Sequence, residues 1–205
     1  APEDPVALAA LADIEEKRGD FTALEEALLR QLSAVRGVDC VPVLTRLARN
    51  AAERLNDADR ALVYLHQVLD ADGENREAFA ETERILASLE RWHELIEVLE
   101  RRAKIEARTG QAGAELACRV SVASIWGEKL GAADSALEAL QAVLARDPRH
   151  FPSLLAVAQI LESEERWDEA SDALKKAAEV ASSPQDRAML LCRMAKVRAA
   201  TGTPV

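Results

Sequence analysis

The sequence predicts an all-α fold of about five and a half tandem helical hairpins, with eleven helices in one array. Three observations predict it: a composition rich in helix formers, a 75-residue internal repeat, and a shorter period near 34. The 205 residues are 49% hydrophobic but only 3% aromatic, with 8 Gly and 7 Pro. Ala, Leu, Glu and Arg dominate, and these residues lose little on entering a helix.

The long repeat is visible when residues 57–72 are compared with residues 132–147. Eight of the sixteen aligned positions are identical, and the apolar ones fall on one stripe of a helix. The same shift of 75 places the Glu-Arg-Trp of residues 90–92 on that of residues 165–167. The 75-residue unit therefore contains two helical hairpins and occurs more than once.

The shorter period is found in the second helix of each hairpin, where one small or apolar position recurs. Its successive spacings along the chain are 37, 34, 41 and 34. A period near 34 in helix-turn-helix form means that each hairpin stacks on its neighbours to bury both of its faces. The recurring positions are Leu24, Ala61, Leu95, Ala136 and Ala170.

Proline, glycine and acidic residues mark the helix ends. Pro42 and Pro152 fall in first turns, where the missing N–H of proline costs nothing, and Gly19 and Gly131 occupy inner turns of hairpins. The predicted helices are 5–18, 21–35, 41–55, 57–70, 75–90, 92–108, 112–130, 133–146, 151–164, 167–181 and 185–200. They pair into hairpins at 5–35, 41–70, 75–108, 112–146 and 151–181, followed by the terminal helix 185–200.

These hairpins resemble tetratricopeptide repeats over essentially the whole chain. The likeness lies in the period, in the Gly or polar residue of the inner turn, and in the Asp147-Pro148 that follows a second helix. The Arg-Trp that opens two second helices is similar to long bacterial repeat arrays. The resemblance implies an α-α superhelix, or solenoid, that serves as a non-catalytic scaffold for protein interactions. The first helices lack the family's usual Trp, Leu-Gly and Tyr, so the consensus is degenerate.

The resemblance also implies where a partner binds. In tetratricopeptide repeats the first helices line a concave groove that receives an extended or helical peptide. Carried over by position, the groove-facing candidates are Arg46, Asn50, Glu53, Arg84, Ser88, Ser121, Glu128, Lys129, Gln159 and Glu162. The alternative interpretation is that most of these are merely solvated polar positions. The family's carboxylate clamp of Lys, Arg and Asn is not assembled, so binding of a chaperone tail is not predicted.

Net charge and cysteine usage limit the partners. The formal net charge is −10 and the isoelectric point about 4.9, so a nucleic-acid backbone would be repelled and a basic or mixed partner is favoured. Three scattered cysteines without a CxxC pair favour a reducing compartment, and hence the cytoplasm. No stretch reaches the 18 or so apolar residues that a membrane span needs.

Two segments imitate metal sites without completing them. His93-Glu94 begins a zinc-protease pattern, but Glu97 stands where the second imidazole is needed. Residues 70–81 imitate a calcium loop, but Asn75 replaces the glycine of the sharp turn. Phosphate-binding glycine patterns and nucleophile motifs are absent. We therefore predict no metal, no cofactor and no catalytic residue.

Two other functions stay open at this point. The chain lacks an initiating Met, so residues 1–205 are predicted to be one repeat domain cut from a longer protein. It could then be a regulatory or spacer segment of a larger enzyme such as a kinase. It could also self-associate through an uncapped end, because the terminal helix is apolar for an exposed cap, with Met189, Leu190, Leu191, Met194 and Val197.

Overall fold

The structure is a computed structural model that describes residues 4–200, and within these residues it contains helices and turns but no strand. The α-helices are α1 (Pro5–Arg18), α2 (Phe21–Ala34), α3 (Val41–Arg49), α4 (Ala58–Ala71), α5 (Arg76–Ser88), α6 (Trp92–Arg108), α7 (Ala112–Ser124), α8 (Ala133–Arg146), α9 (Phe151–Ser163), α10 (Trp167–Val180) and α11 (Pro184–Ala200). The prediction of an all-α fold of eleven helices is confirmed. The chain divides into two compact units, unit 1 (Ala1–Val98) and unit 2 (Leu99–Val205). The prediction of one continuous array stays a prediction.

Two predicted helices, 41–55 and 112–130, change winding before they end. The last turn after α3, at positions 50–54, is π-helical, and so is the last turn after α7, at positions 125–129. The 75-residue shift places one of these segments on the other. Each wider turn is closed in the same way, by a backbone bond to the residue five positions back (Leu55 N to Asn50 O, 3.0 Å; Leu130 N to Ile125 O, 3.1 Å). The internal repeat thus extends to a detail of backbone winding that sequence periodicity does not encode.

In unit 1 short polar side chains begin the helices and leucines fill the interior. The Asp20, Asp57 and Asn75 side chains accept backbone N–H groups at the starts of α2, α4 and α5, at 2.9–3.0 Å. Such caps satisfy donors that the helix cannot. The interior consists of side chains with almost no exposed surface, among them Leu28, Leu47, Val68, Leu69, Phe79 and Leu86.

Unit 2 buries a core shared by α8, α9, α10 and α11. Its largest buried side chains come from all four helices: Leu137, Leu154, Leu161, Leu174 and Leu190. The face of α10 is alanine-rich, with four buried alanines, which lets the neighbouring helices approach closely. Each of these helices packs against the next one in the chain. This is hairpin-on-hairpin burial of the kind that the period near 34 predicts.

An ion-paired turn recurs at the start of two second helices. In unit 1 the Arg91 guanidinium binds Glu94 in its own helix and Asp59 at the start of α4. In unit 2 Arg166 repeats both contacts, with Glu169 at 2.8 Å and with Asp134 at 3.3 Å. Because the partners lie on two successive second helices, each arginine fixes the spacing of one hairpin against the next.

Candidate functional site

Unit 2 has a groove between the first helices of two successive hairpins, α7 and α9. It encloses about 430 Å³, a volume within the range of about 300–1,000 Å³ that ligand sites in proteins have. Leu140 of α8 lies among the residues that line it, and it is 1% exposed. The remaining lining residues are mainly small or apolar, with a few polar ones: Val120, Ala123, Ser124, Gly127, Glu128, Gly131, Ala133, Ala156, Gln159, Ile160, Ser163 and Glu164. We call this the unit 2 groove.

Unit 1 has the corresponding groove between α3 and α5, of about 330 Å³, which we call the unit 1 groove. Its walls are charged. Arg84 binds Glu81 through two nitrogens, at 2.5 and 2.9 Å, and Arg49 lies 4.0 Å from Glu77. Hydrogen bonding to Arg84 lowers the pKa of Glu81, and the pKa of Arg84 is raised in return, with Glu53 contributing. Arg84 and Glu81 thus form a close ion pair on the wall of this groove, and Arg49 and Glu77 form a longer one between exposed side chains.

The 75-residue shift sets seven lining positions of one groove on lining positions of the other. The residue beneath both is leucine, Leu65 in unit 1 and Leu140 in unit 2. Three charged wall residues of unit 1 have neutral counterparts in unit 2: Arg49 becomes Ser124, Glu81 becomes Ala156, and Arg84 becomes Gln159. The same architecture therefore has charged side chains at these three wall positions in unit 1 and neutral ones in unit 2.

Four of the ten groove candidates line these two grooves. Glu53 and Arg84 lie in the unit 1 groove, and Glu128 and Gln159 lie in the unit 2 groove. All four are exposed. The structure thus brings the predicted residues together in two pairs, one in each unit.

Five further candidates are exposed or half-buried but lie outside the two grooves. Arg46 binds Asp13 and Glu16 of α1, at 2.9 and 2.7 Å. Glu162 accepts from Arg193 of α11 through both oxygens, at 2.9–3.1 Å. These two residues connect neighbouring first helices. The hydroxyls of Ser88 and Ser121 donate to carbonyls of their own helices, and Lys129 is exposed at the end of its π-helical turn.

Asn50 is a correction to the predicted set. It is 3% exposed, and its side-chain amide donates to the backbone carbonyl of Phe21 at 2.9 Å. The position carried over from the family was expected to face the groove, whereas here it is buried, as is Ile125 at the corresponding position of unit 2. Asn50 ties α2 to the end of α3.

The most informative lining residues of the unit 2 groove escape the sequence prediction because they are not polar. Gly127, Ala156 and Ile160 give the groove its depth and its apolar surface. A Cβ at Gly127 would lie 3.5 Å from the Ala136 methyl and 3.9 Å from Ile160, so the missing side chain enlarges the groove. The 75-residue alignment could have revealed these residues, because it pairs the charged Glu81 of unit 1 with the small Ala156 of unit 2.

The two segments that imitate metal sites have structural roles. Asn75 of the calcium-like loop caps α5 and donates to Asp72 at 3.0 Å. Glu94, beside His93, is held by Arg91, which lowers the pKa of this glutamate. Among residues 4–200 no three His, Cys, Asp or Glu side chains come together as a metal site. Within the same part of the chain no helix combines the length and apolar character of a membrane span.

The architecture is that of tandem helix-turn-helix hairpins. Residues 153–188 match the family model for the tetratricopeptide repeat. This stretch comprises most of α9, all of α10 and the start of α11, which is one hairpin and the helix that follows it. The predicted resemblance is confirmed there and in the fold.

Solved structures with the same fold have low sequence identity. One is YrrB, described as a tetratricopeptide-repeat protein with an unusual peptide-binding site, with 16% identity, 91% of each chain covered and a TM-score of 0.50. Another is a signal-transduction ATPase with a tetratricopeptide-repeat sensor from Pyrococcus horikoshii, with 18% identity and a TM-score of 0.50 over 97% of this chain and 31% of that one. The protein MamA aligns over 98% of this chain and 97% of its own, with 19% identity and a TM-score of 0.47. No curated protein matches the sequence.

Proposed function

We propose that the protein is a non-catalytic interaction scaffold, and that it binds a peptide or helix of a partner protein in the unit 2 groove. One observation carries the proposal: the unit 2 groove is the larger of the two, and it has neutral side chains at three wall positions where the unit 1 groove has charged ones. An unfilled apolar recess beside exposed polar residues is the usual form of a peptide-anchoring site. The peptide-binding description of YrrB agrees with this function for the fold.

The partner segment is expected to combine an apolar anchor with basic flanks. The half-buried Ile160 and Ala156 offer apolar surface to one side chain, and the buried Leu140 lies behind them. Glu128 and Glu164 stand among the exposed lining residues and attract cations. The formal net charge of −10 attracts a basic partner over longer distances. The same acidity argues against nucleic acid as a partner, and we place the protein in the cytoplasm.

The experiment is a peptide selection with a closed groove as its control. A random peptide library is selected on the full chain, and the enriched peptides are titrated by fluorescence anisotropy. The control variant Ser124→Arg/Ala156→Glu/Gln159→Arg places in the unit 2 groove the three charged residues that stand at the corresponding positions of unit 1, and we call it the closed-groove variant. We expect the enriched peptides to lose at least about tenfold in affinity, or 1.4 kcal/mol, for this variant.

The reciprocal variant makes the experiment symmetric. Arg49→Ser/Glu81→Ala/Arg84→Gln opens the unit 1 groove and leaves unit 2 unchanged, so the affinity for the selected peptides should not fall. Circular dichroism verifies that both variants retain their helices. Equal affinity of the wild type and the closed-groove variant would contradict the proposed site.

A further inference from the structure

The second helices carry another difference between the two units, in the contacts of one repeated glutamate. In unit 1 Tyr64 of α4 is 8% exposed, and its hydroxyl donates to Glu25 of α2 at 2.9 Å. The other oxygen of Glu25 accepts from Arg60 at 2.7 Å. Burial, followed by the bond to Glu25, raises the pKa of Tyr64 to about 12. A tyrosine, an arginine and a glutamate thus join two successive second helices.

In unit 2 the glutamate is kept, but the tyrosine and the arginine are missing. The 75-residue shift places Glu100 of α6 at the position of Glu25, Ala139 at that of Tyr64 and Ser135 at that of Arg60. All three line a cleft of about 400 Å³, in which Trp126 also lies. A methyl group and a short hydroxyl cannot supply the phenol and the guanidinium that satisfy the glutamate in unit 1. Glu100 is therefore an exposed acid beside a cleft at the place where unit 1 carries its tyrosine, whereas Glu25 is only 8% exposed.

The large side chain that unit 2 gains at another position, Trp126, does not fill this cleft. Trp126 stands where unit 1 has Ala51, which is fully buried, so unit 2 gains a large side chain at one position and loses one at another. Trp126 is only half-buried and lines the cleft together with Ala139 and Ala142. The cleft therefore has an aromatic wall, small residues on its α8 side, and a carboxylate.

We propose that this cleft is a docking site for a tyrosine side chain of a partner protein. The template is Tyr64 in the same chain, since the phenol that unit 1 supplies internally is the group that unit 2 lacks. The incoming ring packs against Trp126 and Ala139, and its hydroxyl donates to Glu100. Aromatic packing of this kind adds to the burial of the ring, and a hydrogen bond to a carboxylate is stronger than one to a neutral acceptor.

The rim charges agree with a neutral, hydrogen-donating occupant. Arg119 is engaged by Glu115, at 3.0–3.1 Å, and the other lining charges are Glu100, Lys104 and Glu138. Because acids and bases line the cleft in equal number, the cleft does not select by net charge. Shape and the carboxylate remain as the selecting features, and a phenol satisfies both.

The proposal is tested on the wild-type chain by NMR titration with N-acetyl-tyrosinamide, and with N-acetyl-phenylalaninamide as the matched probe without a hydroxyl. We expect saturable shifts at the Trp126 indole and at the methyls of Ala139 and Ala142. The tyrosine probe should bind about threefold to tenfold more tightly, because only it donates to Glu100. Glu100→Leu should abolish that difference. The absence of saturable shifts, or equal binding of the two probes, would overturn the proposal.

Two variants locate the effect. Ser135→Arg/Ala139→Tyr reproduces the residues of unit 1 and should abolish the shifts, and persistent shifts would place the probe elsewhere and refute the site. Tyr64→Ala should create a second cleft, and p-cresol should raise the midpoint of thermal unfolding of that variant. If p-cresol does not raise this midpoint, the place of Tyr64 does not accept a phenol from outside, and the proposal is refuted. The closed-groove variant of the unit 2 groove should leave all shifts unchanged, so that the two proposed sites fail or succeed separately.

Discussion

The two grooves share their lining leucine and differ in their walls. Leu65 and Leu140 occupy the same place, and the π-helical turns at 50–54 and 125–129 end the neighbouring first helices in the same way. The buried leucine recurs, since close packing leaves little choice of side chain there. On the groove wall Glu53 recurs as Glu128, but Arg49, Glu81 and Arg84 are replaced by neutral residues. The comparison shows how one repeat can keep its packing while the chemistry of its surface changes.

The largest expected effect tests whether the leucine packing is equivalent in the two units. Leu65→Ala and Leu140→Ala each remove a side chain that is at most 3% exposed, and each should lower the free energy of unfolding by about 2–5 kcal/mol. Urea denaturation followed by circular dichroism measures both. A loss at one site that exceeds the other by more than about 2 kcal/mol would show that the two positions are not equivalent.

The next effect concerns the tyrosine that unit 2 lacks. Tyr64→Phe removes the hydroxyl bonded to Glu25 and should cost about 1 kcal/mol at pH 7. Because the folded pKa of Tyr64 is raised from 10.0 to about 12, its contribution is present below pH 10 and is lost as the pH rises towards 12. Urea midpoints between pH 8 and pH 11 should fall in the wild type and fall less in Tyr64→Phe. Parallel curves would be at odds with the raised pKa.

A smaller effect separates binding from stability at Gly127. The unit 1 counterpart of Gly127 is Ala52, and a Cβ at Gly127 meets only ordinary van der Waals contacts. Gly127→Ala should therefore stabilise the helix by up to about 1 kcal/mol and yet weaken the selected peptides, because the methyl narrows the unit 2 groove. Ala52→Gly is the reciprocal control, with lower stability and unchanged binding. A Gly127→Ala variant that binds more tightly would rule out the groove.

The smallest expected effect is the pH-dependent stabilisation by the two ion-paired turns, which should be equal in the two units. Bonding to Arg91 and Arg166 lowers the pKa values of Glu94 and Glu169. Their stabilisation is therefore present above the ordinary glutamate pKa of about 4.3 and lost as the pH falls below it. The midpoint of thermal unfolding of the wild type should fall between pH 7 and pH 3. It should fall slightly less in Arg91→Ala and in Arg166→Ala, and by the same amount in both variants. Unequal changes would mean that the two turns are not equivalent.

Most of the fold follows from the sequence because periodicity and burial are linked. The helix boundaries agree closely with the predicted ones, except where the π-helical turns end α3 and α7. The same turn forms at Ile125, whose side chain cannot donate as Asn50 does to Phe21, so this bond does not create the turn. The assignment of Asn50 to the groove missed that this position is buried in both units.

The candidate site is harder to predict for a different reason. Position within the repeat favours polar side chains on first helices, and Glu128 and Gln159 do line the unit 2 groove. The shape of that groove, however, comes from the missing side chain at Gly127 and the short one at Ala156. A groove is defined by space between helices, and a list of polar positions does not contain that information.

The most direct test of the central claim is a chemical-shift map of a selected peptide on the isotopically labelled full chain. If the unit 2 groove is the binding site, the largest shifts fall on Gly127, Ala156 and Ile160, while Glu81 and Arg84 of the unit 1 groove stay unchanged. Shifts concentrated on Glu81 and Arg84, with Gly127, Ala156 and Ile160 unaffected, would contradict the account.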